Sequence, residues 1–420
     1  MKSKFKYAIL NIRIKLGDGV VIKIIIHRGT NQIGGCLTEI QSNSGTKILI
    51  DIGANLPDSD GNEKNEIELK GLTTGTTTYS AIFITHYHGD HIGLYNKVNS
   101  DIPIYIGEIS KGIYLILQNR LNNVDIVSKE DLEKIESFNT FSIKDTITIN
   151  DIVVTPIGTD HSAFDSYMFM IEADNKKILH TGDFRIHGQR GKKLLEGIRK
   201  YVGNVDCLIC EGTTLTRNEN EILTESQLQY KAQNIFKKNK YNFILCSSTN
   251  IDRIAAFHKA TLNAHKMFIC DKYQSQILEY VSKNAKSSLY KFNESKESKL
   301  YCYGDNMIDK MNECGFVMLV RATDRFKDIM SNFKDYHFIY SQWLGYLKGE
   351  NPDYKRIQDF TPSNFEYLHT SGHATPKAIK QVIDITNPKV VIPIHTEEKE
   401  RIKELTDKAI ILEDNEEFNL

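Results

Sequence analysis

The chain reads as an α/β protein: a sandwich of two sheets with helices outside, interrupted by an inserted parallel α/β domain. Three observations predict this. Hairpin signals and short β-favouring runs, mixed with a few helices, fill roughly the first half of the chain. From about Thr213 apolar runs alternate with helical ones, the pattern of a parallel α/β unit. After residue 362 the first pattern returns and its last apolar strand ends on His395, so a domain of 1–212 and 363–420 closes around one of 213–362.

Taken in order, two β-rich segments over 4–26 flank Gly17, Asp18 and Gly19 and predict a hairpin. A Gly-punctuated loop over 28–40 enters an alternating strand, and 47–52 is a short apolar strand closed by Asp51 and Gly53. Polar, Thr/Gly-rich residues 54–78 predict a surface loop near the mouth of a site. The apolar run 80–85 then leads into T-H-Y-H-G-D-H-I-G at 85–93. Further strands are expected at 101–105, 152–157, 168–171 and 177–180, with a helix over 110–120. The second of those strands feeds G-T-D-H-S at 158–162, and the last feeds T-G-D-F-R at 181–185.

In the second region, T-E-S-Q at 224–227 is a capping box opening a helix to about Lys238. Strands at 243–246, 267–270, 315–320 and 337–340 alternate with helices from Ile251 and Tyr273 onward. A strand over 365–369 precedes H-T-S-G-H-A-T-P, Thr375 and Pro376 start a helix that Asn387 and Pro388 stop, and 389–394 is a buried strand.

Length and composition bound the function classes. The 420 residues suffice for two domains with proper cores, and 40% hydrophobic with 25% charged residues is ordinary for a soluble globular protein. No run approaches the ~18 apolar residues of a membrane span, and the first residues are unlike a signal peptide, so a cytoplasmic protein is expected. Seven cysteines without regular spacing argue for a reducing compartment. Cys207 and Cys210 lie three apart in a strand and face opposite sides, which argues against a zinc knuckle. A net charge of −1 does not advertise a nucleic-acid binder, although binding depends on where the cations lie. Arg185, His187, Arg190, Lys192, Lys193, Arg199 and Lys200 form one local basic cluster, read equally well as a solvated helical face.

The chemistry concentrates in 85–93. His86, His88, Asp90 and His91 put four metal-competent groups into six positions at the exit of a buried strand. Imidazoles and a carboxylate without thiolate suit Zn²⁺ or Mn²⁺ in a catalytic centre better than a structural zinc. His161 and His395 also stand at strand exits, and Asp183 follows a glycine.

The H-x-H-x-D-H sequence after a strand resembles the signature of the metallo-β-lactamase fold, an αββα sandwich. An α/β insertion between T-G-D and a final histidine is similar to the β-CASP nucleases, a group that includes ribonuclease J, the pre-mRNA cleavage endonuclease and DNA-repair nucleases. The resemblance implies two zinc ions, with manganese as the other candidate. His86, His88 and His161 would hold one, Asp90, His91 and His395 the other, and Asp183 would bridge. It also implies that Asp90 accepts a proton from water, that His373 protonates the leaving oxygen, and that Glu211 orients His373. A histidine at the last motif, where DNA-acting members carry valine, favours single-stranded RNA as the partner. A homodimer is the candidate assembly.

For the substrate phosphate, Ser247, Ser248 and Thr249 precede a helix N-terminus with Arg253 one turn in, and Ser371 and Gly372 adjoin His373. An ordinary helix cap explains the first three residues equally well. A 5′-phosphate held there would make a 5′→3′ exonuclease, and its absence an endonuclease. The rivals are a DNA nuclease and a small-molecule metallo-hydrolase, and the large insertion speaks against the latter. A dead scaffold subunit would have lost ligands, and none is missing here. His180 and His369 are expected to support the site, while His27, His258, His265 and His337 are expected to be structural or on the surface.

Overall fold

Two mixed sheets face each other, and a third, all-parallel sheet stands beside them. The computed structural model describes residues 21–57, 65–216, 222–293 and 299–420. The first sheet runs in the order Glu417–Asn419, Lys23–Arg28, Leu37–Gln41, Lys47–Ile50, Ala81–Phe83, Ile104–Gly107, Asn139–Phe141. The second runs Val390–Ile394, Cys207–Glu211, Lys176–His180, Tyr167–Ala173, Ile152–Gly158, Ile147–Ile149.

Alternation along the strands builds the layers. Ile178, Cys207, Ile209 and Ile392 point between the two sheets, where they meet Ile24, Ile48 and Phe83. Their neighbours Leu179, Leu208, Cys210 and Val391 point outward to helices Gly191–Gly197 and Pro376–Thr386, through Leu194, Ala378 and Val382. Cys207 and Cys210 therefore lie on opposite faces, as their spacing predicts. Helices Glu108–Asn122 and Lys129–Glu136 cover the outer face of the first sheet, completing the expected αββα arrangement.

The third sheet follows the order Leu300–Cys302, Met267–Cys270, Phe316–Val320, Tyr241–Leu245, His337–Tyr340, Glu366–Tyr367. All its pairs are parallel, and both faces are apolar and covered. Its helices start on side-chain caps. Thr224 opens Glu225–Lys238 with a capping box, Asn250 caps Ile251–Asn263, and Asp271 opens Lys272–Asn284 with a second box.

Some expectations change. Only Glu366–Tyr367 of the 365–369 segment is a strand, and it pairs with His337–Tyr340, so the chain adds an edge to the inserted sheet before it leaves. The first arm of the N-terminal hairpin and its Gly17-Asp18-Gly19 turn lie outside the described residues. Lys23–Arg28 pairs with Leu37–Gln41 on one side and Glu417–Asn419 on the other.

Candidate metal centre

Each predicted metal ligand leaves the same end of the two-sheet sandwich. His86 and His88 follow Ala81–Phe83, His161 follows Ile152–Gly158, Asp183 follows Lys176–His180, and His395 follows Val390–Ile394. Asp90 and His91 sit on the short helical turn Gly89–Ile92. That turn can approach the first sheet only because residue 53 is glycine: a Cβ there would lie 1.8 Å from the Asp90 carbonyl oxygen.

The structure brings all seven together around one oxygen. Asp183 Oδ2 lies 3.2 Å from His91 Nε2, 3.8 Å from His161 Nε2, and 3.9 Å from both His86 Nε2 and His395 Nε2. On one side His88 Nδ1 is 3.1 Å from His86 Nε2 and 3.2 Å from His161 Nε2. On the other, Asp90 Oδ2 is 3.2 Å from His395 Nε2 and 3.9 Å from His91 Nε2. Asp183 thus stands between two groups of donors.

The outer nitrogens aim the inner ones. His91 Nδ1 donates to Asp51 Oδ2 at 2.7 Å, and His161 Nδ1 donates to the Gly372 carbonyl at 2.7 Å. His86 Nδ1 lies 3.0 Å from the Thr85 hydroxyl, and His395 Nδ1 lies 2.7 Å from that of Thr213. Asp51 also takes the Thr85 amide at 2.7 Å, fixing the strand exit. Asp51 and His395 hold left-handed backbone, at φ 64° and 53°.

Charge shows what the centre is built for. Burial, then repulsion from neighbouring imidazoles, pushes the His86 pKa well below the ordinary range. Burial likewise lowers His161 strongly and brings His88 down to about 4, so these three are neutral donors at neutral pH. Burial also disfavours a charged His91, but Asp183, then Cys36, Asp51 and Asp90, outweigh it and raise its pKa. The carboxylates there call for a positive charge. His91 Nε2 and Asp183 Oδ1 are buried and have no hydrogen-bond partner among the described residues. Neutral imidazoles beside clustered carboxylates with orphaned inward atoms fit a divalent metal site.

His373 is placed beside this cluster. Its Nδ1 is 3.2 Å from Glu211 Oε2 and 3.5 Å from Asp183 Oδ2, and its side chain is 23% exposed. The other Glu211 oxygen accepts the Phe184 amide at 2.8 Å and the Ala374 amide at 3.2 Å. Burial would discharge His373, but Glu211 and Asp183 outweigh it and raise its pKa.

The candidate phosphate residues fall in two places. Ser247, Ser248 and Thr249 leave the carboxyl end of Tyr241–Leu245, where the Thr249 carbonyl accepts the Tyr87 hydroxyl at 2.8 Å. Asn250, rather than these three, caps the helix. The Ser371 hydroxyl accepts the His373 amide at 3.1 Å, and its carbonyl accepts His187 Nε2 at 2.8 Å and Arg185 Nη1 at 3.1 Å.

Three basic residues are not where charge alone suggested. Arg185 is fully buried against Asp160 (3.0 Å), Glu225 (3.0 Å) and Asp252 (3.2 Å). Arg253, expected to grip phosphate, is buried too, paired with Glu225 at 3.0 Å and donating to the Thr370 carbonyl. Arg190 is mostly enclosed and donates its amide to Asp160 at 2.8 Å. Lys192, Lys193, Arg199 and Lys200 are exposed, as a solvated face would be. His180 Nδ1 accepts the Gly182 amide at 3.1 Å, buttressing the Asp183 turn, and His369 Nδ1 lies 3.2 Å from Arg253.

Asp51, Thr213 and Cys36 were not assigned to the site from sequence. Cys36 places its thiol within 4.8 Å of His91 and His395 nitrogens. An aspartate closing an apolar strand, two residues before Gly53, is the signal that the sequence carries for Asp51.

Comparison with known proteins agrees with this geometry. Residues 46–236 match a beta-lactamase superfamily domain, and residues 363–411 match a Zn-dependent metallo-hydrolase RNA specificity domain. Ribonuclease J of Helicobacter pylori is 24% identical over 412 residues, covering 92% of this chain and 57% of that protein. The chain therefore spans little more than half the length of that relative. Ribonuclease J of Mycoplasma genitalium is 25% identical over 402 residues, covering 90% of this chain and 68% of that protein. A crystal structure of a protein of unknown function from Enterococcus faecalis V583 superposes with a TM-score of 0.76 at 20% identity, over 95% of this chain and 100% of that one, a likeness of fold. With domain matches over 46–236 and 363–411, ribonuclease J relatives along nearly the whole length, and a two-sheet sandwich carrying the histidine cluster at one end, the chain resembles the β-CASP nucleases of the metallo-β-lactamase superfamily.

Proposed function

We propose that this chain is a metal-dependent ribonuclease that hydrolyses phosphodiester bonds of single-stranded RNA at a dinuclear zinc centre, acting in the cytoplasm. The observation that carries the reading is His373, a partly exposed imidazole 3.2 Å from Glu211 at the edge of a buried donor cluster. The match to an RNA specificity domain over 363–411 includes both His373 and His395. Two divalent ions, held by His86, His88 and His161 and by Asp90, His91 and His395 with Asp183 between, would lower the pKa of an attacking water and neutralise the phosphoryl oxygens.

The chain's own groups supply the rest. His91 and His395 outweigh burial to hold the Asp90 carboxyl well below its ordinary range, so it stays ionised, as a ligand and a proton acceptor both require. Glu211 and Asp183 outweigh burial and raise the His373 pKa, which favours the protonated imidazole that would deliver a proton to the departing 3′ oxygen. Glu211, anchored by two amides, fixes that imidazole. No helix among the described residues is long and apolar enough to cross a membrane.

The test is digestion of end-labelled single-stranded RNA, bearing 5′-monophosphate or 5′-triphosphate, beside DNA of the same sequence. RNA products with zinc or manganese are expected. A ladder that begins at the 5′ end and needs the monophosphate marks a 5′→3′ exonuclease, and internal cuts mark an endonuclease. Cleavage of DNA in preference to RNA, or none of either, overturns the reading.

A further inference from the structure

Trp343 is the sole tryptophan of the chain, and it is 47% exposed. It follows strand His337–Tyr340 at the carboxyl edge of the inserted parallel sheet, the edge where α/β sheets bind ligands. That edge faces the metal centre: the loop after Tyr241–Leu245, on the same side, receives the hydroxyl of Tyr87, which lies between His86 and His88.

The indole is held in place. A Cβ at Gly345 would lie 2.2 Å from Trp343 ring atoms, so the ring rests on the bare Gly345 backbone and any side chain there would displace it. Tyr346 meets the indole edge-on at 5.5 Å, and Tyr354 backs Tyr346 at 5.2 Å. Leu344 and Tyr367, at 36% and 43% exposure, extend the apolar surface. Tyr340, whose ring stacks with that of Tyr367, donates its hydroxyl to the Trp343 carbonyl at 3.0 Å. At one end of the row stand Tyr346 and Tyr354, where burial raises the Tyr346 hydroxyl to about 12. At its other end the Tyr367 ring lies 6.0 Å from His369, two residues before Ser371.

We propose that Trp343, seated on Gly345 and backed by Tyr346, is a base-stacking platform that holds unpaired bases of an RNA strand beside the metal centre. The proposal rests on the ribonuclease reading and adds the feature that selects single strands. An exposed ring on the sheet edge that faces the metal centre offers a π-face to any base, and bases within a duplex already have both faces covered.

Trp343 reports on its own occupancy, because no other indole contributes to the emission. Protein in EDTA is titrated with single-stranded RNA of about ten nucleotides, and separately with a blunt duplex of the same sequence. Saturable quenching by the single strand alone is expected. In the metal-loaded enzyme, Trp343→Ala and Gly345→Ala are expected to raise KM for RNA about tenfold, in the range for one stacked base. In both variants kcat stays within about twofold, Trp343→Phe restores most of the loss, and hydrolysis of bis(p-nitrophenyl) phosphate, too small to reach the platform, is unaltered.

Unchanged emission while RNA is still cut overturns the platform and leaves the ribonuclease reading standing. Equal quenching by duplex, or an equal loss on the small diester, also overturns it. Emission that follows protein concentration, with Trp343→Ala turning a dimer into a monomer, assigns the face to a second copy of the chain instead. RNA neither bound nor cut removes both readings.

Discussion

At the scale of single residues, the inward nitrogens of the centre are directed by groups that never face substrate. Asp51 holds His91 Nδ1 and the Thr85 amide together, so Asp51→Asn is expected to weaken metal binding about 10–100-fold with the fold intact, read by competition with a chromophoric chelator. Undiminished affinity would reduce Asp51 to a strand-end cap. His86→Ala should lose both metal and cleavage. His373→Ala should retain both metals and slow cleavage by about 10²–10⁴, and a retained rate would pass the proton donation to another group. The seven donors and His373 were legible in the sequence because motif spacing marks them. Asp51 and Thr213 were not, since each acts on a histidine 40 or 182 positions away that only the fold brings near. Arg185 and Arg253 were misread for a related reason: charge alone points to solvent, and the carboxylates that enclose them lie on other elements.

At the scale of elements, those buried charges join the sandwich to the insertion. Glu225 begins the first inserted helix and pairs with both Arg185, next to the Asp183 turn, and Arg253 on the following helix. Arg185 also holds Asp160, beside His161, and the carbonyl of Ser371, two residues before His373. Burial would raise the Glu225 carboxyl, but Arg253 and Arg185 outweigh it and bring it down to about 2, against an ordinary 4.5. A depressed carboxyl stabilises the fold fully above its unfolded value and loses that contribution as pH falls through the folded one. The decline should therefore run from about pH 4.5 toward 2. Glu225→Gln leaves two guanidinium groups without their shared partner, at a cost of about 3–5 kcal/mol, and should flatten the acid dependence in that window. Denaturant midpoints between pH 2 and 6 check this, and an identical slope in both proteins would refute it. Helix starts at Thr224 and Thr375 were readable because caps are local chemistry. The Ser128 and Asp131 capping box carried the same signal for Lys129–Glu136, which went unassigned. The strand expected over 365–369 shrinks to Glu366–Tyr367 and joins His337–Tyr340 of the insertion, a partner that local pattern cannot name.

At the scale of the whole molecule, the sandwich and the insertion share one apolar core. It runs without a break from Ile82 and Ile104 in the first sheet, through Ile113 and Tyr114 of helix Glu108–Asn122, to Phe257, Ile277 and Ile244 in the insertion. Calorimetry of the metal-free protein is expected to give a single cooperative transition, and two separate ones would show that the shared core does not couple the halves. The alternation of sheet and helix was visible along the chain, but this continuity was not, because periodicity shows that a face is apolar without showing what it meets. It also limits how the molecule can move. Swinging the halves apart like a clamshell would strip helix Glu108–Asn122 from helix Lys272–Asn284 and expose the apolar side chains of both to water, so the shared core opposes any such opening.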